Sequence, residues 1–206
     1  MSAIVTAERV GATFASSEKL AGINRAVTGA LAVGHHTGQR YSNPKVIQIL
    51  VWPTGSYVSQ PGTLAHVCKT WLPREAPHLF EAPKIESDDV RDLDNGTAVR
   101  FVEPGLSGRL VPSQTGLFFS PDFRVGSPVD TLVETVVFSL YLTGPAFVTA
   151  VKDAHRLRRL ALTLQGQNGS GGALSVTHPQ PEAARWAIDT FVQLVPNPND
   201  WLTLSN

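Results

Sequence analysis

The segment Thr131–Thr143, TLVETVVFSLYLT, decides the fold class, because its pattern fits two kinds of secondary structure. As a strand it has one apolar face with a single charged exception, Glu134, and that face carries Leu132, Val136, Phe138, Leu140 and Leu142. Its valines and threonines have stiff χ1 torsions, which favour a pleated surface over a helix. We therefore predict a core strand here, with Phe138 and Leu140 facing inward.

The same segment is also bounded as a helix would be. The preceding residues Ser127–Asp130 form a capping pattern, and Gly144-Pro145 is a helix stop. If the segment is helical, the chain is an α+β single domain rather than a mainly β one. This alternative stays open at the level of sequence.

Working outward from this segment, most of the chain carries strand and turn signals. Val46–Trp52 is an apolar run closed by Pro53, which indicates a strand buried on both faces, and 64–72 fits a strand or a helix. We predict further β structure in a meander over 97–120 and in a hairpin formed by 159–166 and 172–178. Helices are predicted over 17–33, 144–159 and 181–195, the last with Pro181 at its start.

Turn signals recur about every ten residues, as in β-sandwiches. The sequence therefore predicts a mainly β fold, an antiparallel β-sandwich with a few short helices. It predicts one domain over 1–206, in which 1–16 is an irregular or extended N-terminal arm and 196–206 is a C-terminal tail.

Two neighbouring stretches resemble the late strands of the jelly-roll coat proteins of small RNA viruses. They are GRLVPSQTGLFFSP (108–121) and VGSPVDTLVETVVFSLYLTGP (125–145). In that family a Gly-rich turn leads into a long alternating strand that ends at a Pro-containing hinge. The resemblance implies a jelly roll and a role as a capsid subunit. The chain lacks the basic N-terminal arm that often neutralises RNA in that family.

The composition narrows the function classes. The 206 residues carry 17 basic and 17 acidic side chains, so a strongly basic nucleic-acid binder is excluded at the level of the whole chain. One cysteine excludes an internal disulfide framework and a multi-cysteine zinc site. Only 17% of residues are charged, which favours burial of surface between copies in a homo-oligomer. No secretory signal or membrane span is expected.

Two charged clusters are candidate contact sites. The acidic run, a solvated turn or alternatively a calcium or subunit contact, consists of Glu86, Asp88, Asp89, Asp92 and Asp94. The basic stripe, a solvated helix end or alternatively a contact for packaged nucleic acid or a neighbouring subunit, consists of Lys152, His155, Arg156, Arg158 and Arg159.

Other constellations are interpreted as structural. Gly166–Gly172 lacks the lysine of a phosphate-binding P-loop and precedes a predicted strand, which favours a hairpin loop. Cys68 beside His66 is interpreted as a small buried hydrophobe, and His35-His36 as an exposed turn. No catalytic residue, cofactor or metal is assigned.

The leading hypothesis is a non-enzymatic structural subunit of a large homo-oligomeric assembly, specifically a viral capsid or virion protein. Its partners would be copies of itself and packaged nucleic acid at the basic stripe, and its location the virion, after assembly in the host cytoplasm. The alternative is an intracellular α+β enzyme or ligand-binding domain without a recognisable motif. A small adaptor is a third class.

Overall fold

The computed structural model describes residues 2–38, 44–54, 63–84, 88–104, 110–118, 122–166 and 181–194. The helices in these ranges are α1 (Ser2–Ser16), α2 (Ala30–Thr37), α3 (Thr63–Glu75), α4 (Pro128–Ser139), α5 (Gly144–Leu164) and α6 (Pro181–Leu194). The strands are β1 (Asn24–Thr28), β2 (Val46–Trp52), β3 (Phe80–Glu81), β4 (Val90–Asp92), β5 (Ala98–Val102), β6 (Thr115–Leu117) and β7 (Arg124–Gly126).

The seven strands form one mixed sheet in the order β3-β4-β5-β2-β1-β7-β6. β2 lies at its centre, antiparallel to β1 and parallel to β5. β1 is in turn parallel to β7 at its other edge. The central position explains why β2 reads as an almost continuous apolar run, and it confirms the strand predicted over Val46–Trp52.

One face of the sheet packs against α1 and α3. Alternate residues Ile47, Ile49 and Val51 of β2 point to this side, and all three are at most 1% exposed. α1 covers them with a face built from Ala3, Ala7, Val10 and Phe14. This spacing is helical, so one side of α1 is buried along its length.

A second cluster of buried residues, which we call the helical cluster, forms among α4, α5 and α6, next to the opposite face of the sheet. Its members are Val33, Leu110, Leu132, Val133, Val136, Val137, Ala154, Leu157, Ala161, Leu162, Ala184, Ala187, Ile188 and Phe191. α2 belongs to both clusters, because Leu31 packs in the first and Val33 in the second. α2 and α4 therefore connect the sheet to the helical cluster.

The strand predicted over Thr131–Thr143 is wrong, since most of the segment lies in α4. Ser127 accepts a hydrogen bond from the Asp130 amide, as the helical alternative requires. The four most buried apolar side chains have helical spacing and are Leu132, Val133, Val136 and Val137. Burial on a helical stripe outweighs the weak intrinsic preference of β-branched residues for strands.

The predicted antiparallel β-sandwich is therefore also wrong. The structure has six helices among its described residues and a single sheet with two parallel strand pairs, which makes it an α/β fold. The jelly-roll resemblance fails at the same place, because its long alternating strand is α4. The segment 115–117 is a short strand, but 110–114 is not.

The beginning of the chain also differs from prediction. Residues 2–16 are helical rather than irregular, and the helix predicted over 17–33 is replaced by a turn, β1 and the first half of α2. Ser17 does not open a helix, since its carbonyl accepts the amides of Leu20 and Ala21 in a turn that follows α1. Residues 17–33 have apolar side chains at helical spacing, but Asn24–Thr28 pair with β2, and this strand interrupts the predicted helix.

Later elements are closer to the prediction. α5 and α6 confirm the helices expected over 144–159 and 181–195, and 64–72 is helical within α3. Residues 159–164 continue α5, so the first strand of the expected hairpin is wrong. Its second strand and the tail 196–206 lie outside the described residues. Within the described ranges, no helix combines the length and apolarity needed to cross a membrane.

Candidate functional site

A cleft of about 240 Å³ lies between the sheet and the helical cluster. We call it the α2 cleft. One side is formed by the start of α2 and by β2, and the other by α4 and α5. Its lining residues are Gly29, Ala30, Val33, Gln48, Glu134, Thr135, Phe138, Leu142, Ala146, Thr149, Ala150 and Asp153.

Gly29 forms the wall of the cleft where α2 begins. It has a φ of 65°, and as a glycine it provides no side-chain hydrogen bond to cap the amino end of α2. A Cβ here would lie 2.9 Å from Oε1 of Gln48, so a side chain would strain the backbone and crowd the strand. Val33 donates the first helical hydrogen bond to the Gly29 carbonyl, at 3.1 Å. The amino end of α2, with its positive dipole end, therefore borders the cleft.

Gln48 contributes the polar part of the sheet to the cleft. It pairs in register with Thr28 on β1 and with Arg100 on β5, so the three side chains share one face of the sheet. Arg100 is held on this face by Asp89, to which its Nε and Nη2 donate at 2.8 Å each. The hydrogen-bonding groups beside the cleft are thus fixed by strand pairing.

Two carboxylates face the cleft from the helical side. Glu134 of α4 accepts a hydrogen bond from the Thr28 hydroxyl, which ties α4 to the end of β1. Asp153 of α5 accepts one from Arg156 at 3.1 Å. Burial raises the pKa of Asp153 above its ordinary value, although the charge of Arg156 acts in the opposite direction. Asp153 is therefore a stronger proton acceptor than a carboxylate in water.

A preformed metal centre is not present in the described part of the chain. No group of three or more His, Cys, Asp or Glu side chains lies close enough there to hold a metal ion. Asp130, one turn before Glu134, is occupied structurally, because its carboxylate accepts from Ser113, Gln114 and Ser127. Among the described residues, two carboxylates line the α2 cleft. Two carboxylates are enough for a cation that keeps other oxygen ligands from a molecule bound with it.

The acidic run does not come together as one site. Asp92 is buried and pairs with Arg9 at 2.9 Å, and Asp94 pairs with the same arginine. Asp88 pairs with Lys69, and Asp89 with Arg100. Glu86 lies outside the described residues. These four carboxylates are therefore engaged within the chain, and a calcium or subunit contact by the run stays a prediction.

The basic stripe lies on α5, as its spacing predicted. Lys152, His155, Arg156 and Arg159 are exposed, whereas Arg158 is 7% exposed and packs inward. Arg156 is the member that reaches the cleft, through its ion pair with Asp153. Contact of this stripe with nucleic acid or another subunit stays a prediction, as does homo-oligomer formation.

The two adjacent histidines are not in an exposed turn. They form the last turn of α2, where His36 Nε2 lies 2.8 Å from the Gly126 carbonyl and the ring of His35 lies 5.2 Å from that of Phe118. Burial lowers the pKa of both rings. They connect α2 to β7 and to the segment around Phe118.

Cys68 is a buried core residue of α3, and its neighbour His66 is exposed on the same helix. Because i and i+2 point in different directions on a helix, the two do not form a thiol–imidazole pair. Burial raises the pKa of the Cys68 thiol to about 12. The thiol is therefore protonated at neutral pH.

We expect Cys68 to resist alkylation in the folded protein. Iodoacetamide at pH 8 should leave the native chain unmodified in mass spectrometry, because the thiolate is scarce and the sulfur is inaccessible. The same reagent in guanidinium chloride should modify it once per chain. Rapid modification of the native protein would contradict this placement of Cys68.

The cleft residues were not identified as functional from the sequence. No sequence motif includes Gly29, Gln48 or Asp153. In the sequence, Glu134 stands out only as the charged exception on the predicted strand face of Thr131–Thr143. The signal that could have found Gly29 is a glycine directly after a strand and directly before a helix, followed by a central strand. The prediction of a continuous helix over 17–33 concealed it.

The fold is similar to that of nucleotidyltransferase-like proteins. The crystal structure of an antigenic nucleotidyltransferase-like protein from Paracoccidioides brasiliensis matches with a TM-score of 0.58, covering 92% of this chain and 89% of that chain at 15% identity. The solution structure of the antibiotic-resistance factor ANT(2″)-Ia matches with a TM-score of 0.43, covering 79% and 92% at 10% identity. No protein-family model and no curated protein matches the sequence.

This likeness overturns the capsid hypothesis. The first neighbour shares the α/β fold along most of both chains, and that fold is not a viral jelly roll. The expectation of a non-enzymatic virion subunit is wrong. The location of the protein is a separate expectation, which stays a prediction. The α+β enzyme or ligand-binding domain, held as the alternative, fits the structure better. The fold of the chain is similar to that of the nucleotidyltransferase-like protein from Paracoccidioides brasiliensis.

Proposed function

We propose that the chain is an enzyme that binds a nucleotide in the α2 cleft, with the phosphates at the amino end of α2. The observation that carries this proposal is the position of Gly29, which begins the helix and lines the cleft. The first backbone amides of a helix and its dipole together favour a phosphate group. A glycine at that point lets the backbone approach the ligand closely.

The charge of the cleft specifies how the nucleotide would bind. Glu134 and Asp153 would repel phosphates that came without a cation. Mg²⁺ is commonly held by one or two carboxylates together with the phosphates of the substrate. We infer that the ligand is a magnesium–nucleotide complex, with these two side chains holding the cation and the α2 amides facing the phosphates.

The residues of the cleft also fit a reaction class. Transfer of a nucleotidyl or phosphoryl group depends mainly on positioning and on stabilising phosphate charge, and a bound Mg²⁺ supplies part of that stabilisation. The fold likeness supports nucleotidyl transfer to a hydroxyl as the reaction.

Calorimetric titration with nucleoside triphosphates, with and without Mg²⁺, tests the proposal. We expect magnesium-dependent binding that falls about tenfold or more in Glu134→Gln and in Asp153→Asn, because each removes a charge next to the cation. Asp189→Asn is the matched control, since Asp189 is exposed on α6 and does not line the cleft. It should bind as the original chain does.

A second pair of variants distinguishes the loss of the proposed phosphate site from the general effect of placing a side chain where φ is positive. Gly29 and Gly38 lie at the two ends of α2, and both have a φ of 65°. Gly29→Ala should lose nucleotide binding, whereas Gly38→Ala should keep it and cost less stability, because no atom lies within 4 Å of its added Cβ and Gly38 does not line the cleft. Absence of binding by the original chain to all four nucleoside triphosphates with Mg²⁺ would refute the proposal.

A further inference from the structure

A second, more polar groove lies at the opposite end of β1 from the α2 cleft. It has a volume of about 550 Å³. Its lining residues are Ala21, Ile23, Asn24, Arg25, Trp52, Thr115, Asp122 and Arg124, and we call it the arginine groove. Gly29 directly follows the far end of the same strand, and the described residues that line the groove include none of those that line the α2 cleft.

Arg25 is held in the groove by weak contacts. Its guanidinium lies 4.9 Å from the ring centre of Phe14 and 6.0 Å from that of Phe123. Its Nη1 donates to the Ile23 carbonyl at 3.4 Å and its Nη2 to the Asp122 carbonyl at 3.2 Å, which are long for hydrogen bonds. Its Nε is buried and has no hydrogen-bond partner among the described residues. The aromatic rings therefore position a guanidinium that makes two long hydrogen bonds and whose Nε makes none.

The charges of the groove favour an anion. Among the described residues that line it, the cations are Arg25 and Arg124 and the carboxylate is Asp122. Arg124 is exposed and makes no ion pair with any residue in the described ranges. Burial lowers the pKa of Arg25, and the nearby charge of Asp122 offsets this only in part. An anion next to Arg25 would stabilise its charged form.

Trp52 and Asn24 define the remaining part of the groove. They are directly paired on β2 and β1, so their side chains share one face of the sheet. Arg25, the next residue along β1, points to the other face, so the groove at this end of the strand is lined from both faces. Trp52 is half-buried, which leaves part of the indole at the groove surface. Indole rings commonly pack against the apolar faces of sugars and other rings in ligand sites.

We propose that the arginine groove binds a small phosphorylated sugar or similar phosphomonoester, whose phosphate contacts Arg25 and Arg124. Guanidinium groups match the geometry of phosphate oxygens and keep their charge when partly buried. The organic part of the ligand packs against Trp52. This site is independent of the nucleotide proposed for the α2 cleft.

Titration of the full chain with ribose 5-phosphate in magnesium-free buffer tests the site. Calorimetry should show binding, and the fluorescence of Trp52 should change, as judged by loss of that signal in Trp52→Phe. Ribose without phosphate should not bind. Arg124→Ala should weaken ribose 5-phosphate binding about tenfold or more, because it removes a charged hydrogen-bonding partner.

Three comparisons make the result decisive. Arg91→Ala, which removes an exposed arginine on β4, should bind as the original chain does. Arg25→Lys keeps the charge but loses the planar fork, and should also weaken binding. Glu134→Gln should leave it unchanged, which separates this site from the α2 cleft. Equal affinity in Arg124→Ala and the original chain, or no binding of ribose 5-phosphate at millimolar concentration, would overturn the proposal.

Discussion

Asp92→Ala should lower the free energy of unfolding by about 3–5 kcal/mol, the largest loss expected from a single charged side chain here. Asp92 is fully buried at the end of β4. Its carboxylate accepts from the Thr6 hydroxyl at 2.7 Å, from Arg9 at 2.9 Å and from the Asp94 amide at 3.0 Å. Removing it takes away the buried acceptor that these three donors share, and with it the polar contact between α1 and β4.

Chemical denaturation of Asp92→Ala and Asp88→Ala measures the effect against a control. Asp88 belongs to the same acidic run and pairs with Lys69, but its side chain is 87% exposed. An exposed pair contributes about 0–1 kcal/mol, so Asp88→Ala should be nearly neutral. Equal and small losses in the two variants would show that Asp92 does not anchor α1.

Leu132→Ala should cost about 2–5 kcal/mol of unfolding free energy. Leu132 is fully buried in α4, where it packs in the helical cluster. The truncation removes apolar contact and leaves a cavity between helices that cannot fully collapse. Thermal or chemical denaturation monitored by circular dichroism measures the loss.

Leu140→Ala is the informative comparison for this segment. Leu140 lies at the end of α4 and is only partly buried against the same cluster. Its truncation should therefore cost clearly less than that of Leu132. A core strand would place both leucines on the inward face, with similar losses. If Leu140→Ala costs as much as Leu132→Ala, the helical placement of the segment is contradicted.

Prediction from the sequence succeeded for segments whose residue pattern favours one kind of secondary structure, and it failed for a segment whose pattern fits two. Val46–Trp52 is a short apolar run closed by Pro53, which favours a central strand, and α6 has a proline start and a strong helical stripe. Thr131–Thr143 satisfies the periods of both a strand and a helix. Packing of Val133 and Val137 against α5 and α6 decided it, and that packing is not visible in a single segment.

The candidate site was less predictable than the fold for a related reason. Gly29, Gln48, Glu134 and Asp153 come from four elements and meet only because β1 pairs with β2 and α4 packs beside them. Several members of the charged clusters that stand out in the sequence make contacts away from the cleft. Asp92 anchors α1, and Arg158 packs among the helices. Density of charge in the sequence was a poor guide to the cleft.

The most direct test of the central claim is the response of α2 amide signals to a magnesium–nucleotide complex. In ¹H–¹⁵N spectra of the full chain titrated with Mg-ATP, the amides of Gly29 and Ala30 should shift most, because they lie where the phosphates are proposed to bind. The amide of Gly38, at the other end of the same helix, should not move. Unchanged signals for Gly29 and Ala30 at millimolar Mg-ATP, or shifts confined to residues outside the α2 cleft, would contradict the account.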